Sequence, residues 1–82
     1  MAKLRPLQAL ADLVPYGRGD LIISLFKSGE EHLALETLLS NLYEFDISIP
    51  PSQAAWLQET ASLHGMSPAT MHKLHPGLPL KR

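Results

Sequence analysis

Apolar and polar residues repeat along this chain with a helical period in four places, and one of them organises the rest. It is the stretch from Gly29 to Pro51, GEEHLALETLLSNLYEFDISIPP. Leu35, Leu38, Leu39 and Leu42 recur there at offsets of 3, 4 and 7, the spacing of one buried helical stripe. At about 100° per residue, Glu36, Ser40 and Glu44 fall on the opposite side, with Leu33 and Tyr43 on the flanks. Glu30 and Glu31 make an acidic first turn suited to a helix N-terminus, and Gly29 is a left-handed stop for the helix before it. The pattern predicts a helix ending near Glu44. Beyond it, Phe45, Ile47 and Ile49 alternate with Asp46 and Ser48, which predicts a short extended link turning three apolar side chains inward.

The other three stripes are shorter. Pro6 suits the first turn of a helix whose buried face is Leu7, Leu10, Ala11 and Val14, with Arg5, Gln8 and Asp12 outside. Pro15 to Gly19 break that helix, and Asp20 is placed to cap a second one over Leu21 to Ser28. This second helix is apolar almost all round, which predicts a central position among the helices. A fourth helix starts at Pro51, with Gln53 set to reach back as in a capping box. Its stripe reads Trp56, Leu57, Thr60, Leu63 and His64, leaving Gln58, Glu59 and Ser62 outside. Gly65 ends it, Met66 supplies the hydrophobic contact that accompanies such a stop, and Ser67-Pro68 open one more short turn through about Leu74.

These elements predict an all-α fold, a compact bundle of four short helices with a short extra C-terminal turn. Residues 1–75 are expected to form a single helical domain. His75-Pro76-Gly77-Leu78-Pro79 reads as extended or mobile, so residues 76–82 are expected to be a tail. No internal repeat or low-complexity tract is present in the 82 residues.

The run LALETLLSNLYEFDISIP resembles the central signature of small bacterial immunity proteins of the MafI type, whose pattern reads LALENLCDNLYEYDIPLS. The resemblance covers residues 30 to 65 and is strongest from Leu35 to Ile49, where Asn-Leu-Tyr-Glu-Phe-Asp adds to the leucine spacing. Leu39-Ser40 stand where the pattern has Cys-Asp, and Pro50-Pro51 replace a more polar entry to the last helix. The resemblance implies a protein that accompanies a polymorphic or contact-dependent toxin and neutralises it by binding. Loss of the Asp at position 40 removes one contact that it would otherwise suggest.

Composition fits that kind of protein. The chain is 45% apolar and 18% charged, as in an ordinary globular domain, and carries no cysteine, hence no disulfide or thiolate chemistry. No apolar run reaches bilayer length and no signal peptide is read, so the cytoplasm is the expected location. The net charge of −1 conceals a polarity. Between Ser28 and His72 stand Glu30, Glu31, Glu36, Glu44, Asp46 and Glu59, with no Lys or Arg; Lys3, Arg5, Arg18 and Lys27 precede them, and Lys73, Lys81 and Arg82 follow. An acidic middle disfavours nucleic acid and favours a basic partner. The expected partner face is Glu36, Ser40, Tyr43, Glu44 and Asp46, with Tyr43 as the aromatic anchor.

Catalysis and cofactors find no motif: the chain has no glycine-rich phosphate loop, nucleophile elbow or metal triad. His64, His72 and His75 lack the cysteines or nearby carboxylates that complete a tetrahedral metal site. Arg18-Gly19-Asp20 matches an adhesion tripeptide and reads as chance, since Asp20 is expected to serve as a cap. Asn41, beside the leucine stripe, is expected to hydrogen-bond the link between helices. A helical DNA-binding regulator is the competing class, but it needs a basic recognition helix, and neither the third nor the fourth helix has Lys or Arg. A helical adaptor is the third.

Overall fold

The computed structural model describes residues 4–76, in five helices and no strand. They are α1 (Leu4–Ala11), α2 (Arg18–Lys27), α3 (Glu31–Glu44), α4 (Pro51–Leu63) and α5 (Pro68–Leu74). The all-α architecture is as expected, with α5 as the short additional element. The principal contacts pair α1 with α2, α2 with α3, α3 with α5, α5 with α4 and α4 with α1, closing a ring around one core. α3 contributes most to that core: Ala34, Leu35, Leu38, Leu39, Asn41 and Leu42 are all buried. The four leucines of its stripe are fully buried, so their period is the packing surface itself.

α1 buries Leu7, Leu10 and Ala11, and Val14 reaches the same core from the turn beyond the helix. α2 starts earlier than its sequence suggests. Gly17, with φ of 72°, is its N-cap; Asp20 sits inside the first turn, where a carboxylate meets the positive end of the helix dipole, and makes no cap bond. Gly19 lies in that first turn and is buried. A Cβ there would run into the Ala11 carbonyl, so the absent side chain lets α2 cross α1 at backbone contact. α2 is also less enclosed than a helix apolar on all sides should be. Ile22 and Ile23 are buried, but Leu21 is 50% exposed, and the enclosed helix is α3.

Three helices stop by the same device. After α2, Glu30 N–H donates to the Leu25 carbonyl (2.9 Å) and Gly29 N–H to that of Phe26 (3.3 Å). After α4, Met66 N–H donates to Ala61 and Gly65 N–H to Ser62, both at 3.0 Å. After α3, Ile47 N–H donates to Leu42 (2.9 Å) and Asp46 N–H to Tyr43 (3.1 Å). This crossed pair is the Schellman stop, which needs a left-handed residue at its corner. Glycine fills the corner in two cases, and Asp46, with φ of 53°, fills the third. Two of these stops fold the next apolar residue back onto the core. Met66 is buried, and Ile47 packs against the core with Phe45 and Ile49, giving the inward alternation expected of the link.

The buried face of α4 differs from the expected stripe. Ala54, Leu57, Gln58, Thr60 and Ala61 face inward, Trp56 is half-buried against the core, and Leu63 is 73% exposed. Ala54 and Ala61 take inward positions beside Leu57, and the larger Trp56 and Leu63 side chains fall to the margin of that face or outside it. The capping box does not form either. Pro50 is the N-cap and has no N–H for Gln53 to reach. At α5 the expected cap is present: Thr70 N–H donates to Ser67 Oγ at 3.2 Å, with Pro68 in the first turn. Of the expected tail at 76–82, all but Pro76 lies outside the described residues.

Candidate partner-binding face

Burying one side of α3 leaves the other side fixed in direction and open to solvent. Glu36, Ser40 and Glu44 follow one another at intervals of four along that outer side, as a helix with buried Leu35, Leu38, Leu39 and Leu42 requires. Ser40 and Glu44 are exposed and Glu36 is half-buried. Tyr43 borders them, 54% exposed, with its ring edge-on to His75 at 5.6 Å between centroids. That contact comes from α5 packing on α3. Asp46 continues the negative charge beyond the helix, held in place by its left-handed backbone.

Two features of this face go beyond the sequence pattern. Leu33, one i, i+7 step before Ser40, lies in line with it and is 45% exposed, so the acidic side carries an apolar residue along its midline. His32 pairs with Glu36, Nε2 to Oε2 at 3.3 Å, which ties down the Glu36 carboxylate. The i, i+4 spacing of the pair is the signal that could have found it. Glu44 and Asp46 have no ion pair among the described residues and are the open charges of the face. His64 Nδ1 also lies 3.3 Å from Glu31 Oε1, a contact that links the end of α4 to the start of α3 and engages the half-exposed Glu31 carboxylate.

Asn41 does not reach the link. Its Nδ2 donates to the Thr37 carbonyl of its own helix at 2.7 Å, and the residue is 3% exposed. It sits one turn after Thr37, so the local carbonyl is the nearest acceptor.

A separate cluster, with Tyr16 and Arg18 exposed and Phe45 half-buried, stands where the α1–α2 turn meets the link after α3. The rings of Tyr16 and Phe45 approach to 5.7 Å between centroids, and the Arg18 guanidinium lies 5.7 Å from the centre of the Phe45 ring. Tyr16 is 85% exposed.

Among the described residues no group of three His, Cys, Asp or Glu is placed to hold a metal ion, and no helix is long and apolar enough to cross a membrane. Comparison of the chain with protein-family models, with curated proteins and with solved structures finds no match in any of the three.

Proposed function

We propose that this chain is a non-enzymatic immunity protein that binds and neutralises a cognate bacterial toxin domain, a nuclease with a basic cleft, in the cytoplasm of the producing cell. The outer face of α3 is the contact surface. The observation that carries the reading is the division of one helix into two sides. One is immobilised in the core, and the other presents Glu36, Ser40, Glu44 and Asp46 with Leu33 and Tyr43 among them. The resemblance of residues 30 to 65 to MafI-type proteins supplies the role.

The mechanism follows from charge and rigidity. A cleft shaped for phosphates attracts carboxylates, which raises the encounter rate and excludes nucleic acid from the same cleft. After encounter, Leu33 and Tyr43 give the complex its lifetime, because apolar and aromatic anchors act on dissociation. A helix already fixed by four buried leucines loses little freedom on binding.

Co-expression with the product of the neighbouring gene tests the reading. The expected outcome is a complex that survives purification, and protection of cells that the toxin otherwise kills. Survival without complex formation, or no protection, points to a helical adaptor. A tight, sequence-specific shift of duplex DNA at physiological salt points to a regulator.

A further inference from the structure

α2 turns two opposite charges to solvent on one face. Asp20 and Lys27 stand seven residues apart in the helix, which sets them within about 20° of each other around its axis and about 10 Å apart along it. Ser24 lies between them, and all three residues are exposed. Neither Asp20 nor Lys27 has an ion pair among the described residues. Beside Asp20, Leu21 is 50% exposed. A shallow groove runs along this side of the helix, lined by Asp20, Ile23, Ser24, Lys27 and Ser28. The Ser28 hydroxyl is turned back to its own helix, where it donates to the Ser24 and Leu25 carbonyls at 3.0 and 3.1 Å. The face is therefore open, small at its centre, and bounded by unpaired charges of opposite sign.

The order of these charges along the helix selects the occupant. A uniformly basic segment laid on this face meets Lys27, and a uniformly acidic one meets Asp20. A segment that suits both ends carries an anion and a cation seven residues apart on one side of a helix. We infer that it is α2 of a second copy, packed antiparallel about a two-fold axis at Ser24. Helix geometry alone then sets Asp20 of each copy against Lys27 of the other, so both pairs form together. The aliphatic stem of each Lys27 lies over Leu21 of the other copy, covering its exposed half. Serine at the crossing point has little bulk, which lets the two axes approach to the 8–10 Å of packed helices. The other outer faces are poorer candidates. On α1, Arg5 and Asp12 have the same spacing, but Gln8 Nε2 already donates to Asp12 Oδ1 at 2.8 Å. On α3, Glu36 and Glu44 have the same sign, and two such faces repel.

The interface shares no residue with the α3 face and is measured on the protein alone, without a toxin. Sedimentation velocity over a wide concentration range is expected to show the wild type passing from monomer to dimer as concentration rises, and added salt weakening the dimer. Asp20→Lys and Lys27→Asp are each expected to weaken it at least tenfold by like-charge contact. An equimolar mixture of the two restores it, since both crossed pairs then have opposite signs. The chain has no cysteine, so Ser24→Cys supplies a single thiol, placed on the two-fold axis. Mild oxidation is expected to link that variant into a disulfide dimer at least tenfold faster than Ser52→Cys, an exposed position on α4. Ser24→Lys sets like charges on the axis and is expected to leave a monomer. Ser24 is exposed, so its variants keep the fold and decide the question whatever the charge changes do to the ends of α2. A wild type monomeric throughout overturns the inference, as does equal cross-linking at positions 24 and 52 or undiminished dimerisation of Ser24→Lys.

Discussion

α3 and α4 are of similar length and both pack on the same core, yet they are built on different principles. α3 buries four leucines completely and turns carboxylates outward; α4 buries Ala54, Ala61, Leu57 and Gln58 and leaves Leu63 in solvent. In α3, large side chains at helical spacing define the inner face, so hydrophobic period and burial coincide. In α4 the inner face is mostly small or polar, with Ala54, Gln58, Thr60 and Ala61 around Leu57, and the large Trp56 and Leu63 side chains sit at its margin or in solvent. A leucine stripe therefore anchors a helix from within, whereas an alanine face is chosen by its neighbours. This is why the outer surface of α3 is fixed in direction.

The difference predicts unequal responses to substitution. Leu38→Ala in α3 should lose about 2–5 kcal/mol in chemical denaturation, because a fully buried leucine leaves a cavity that the surrounding ring of helices cannot close. Ala61→Leu in α4 should lose about 1–3 kcal/mol by overpacking. If Ala61→Leu proves neutral, the alanine face is not in close contact and the comparison fails. Asp46→Gly, which gives the third Schellman corner the residue found at the other two, should gain from a few tenths to about 1 kcal/mol, the relief of the left-handed backbone being offset by a more flexible unfolded chain. Smallest of all, Leu63→Ala should stay within about 0.5 kcal/mol of wild type despite removing a leucine from the helical stripe of the sequence.

The same contrast explains what is legible in the sequence. The existence and order of the helices can be read because prolines and glycines punctuate them and leucines phase the longest one. Gly29 and Gly65 mark two stops correctly, and Met66 folds back as its position implies. Gly19 reads as a breaker but lies within α2, because its role is tertiary: it admits the Ala11 carbonyl of another helix, and no local pattern contains that partner. Gln58 reads as an outside residue because its polarity outweighs its position beside Leu57 and one turn after Ala54, yet it is buried.

At the candidate face, the positions of Glu36, Ser40 and Glu44 follow from the leucine phase alone. Leu33 escapes notice as a member of that face because an isolated leucine reads as a flank of the buried stripe. The Tyr16–Phe45 contact joins residues from two distant segments, and no helical period connects them. The contact of Tyr43 with His75 has the same origin, through the packing of α5 on α3.

Whether the outer face of α3 engages a basic toxin through its carboxylates is read most directly from an association rate. The Glu36→Lys, Glu44→Lys double variant is measured against the toxin domain recovered by co-expression, at low and high salt, beside the wild type and Tyr43→Ala. The charge reversals are expected to slow association at least tenfold at low salt with little change in melting temperature, and salt is expected to narrow the gap. Tyr43→Ala should leave association nearly unchanged and speed dissociation. Wild-type association by the charge-reversed protein, at unchanged stability, would contradict an acidic α3 interface and place the contact on another face.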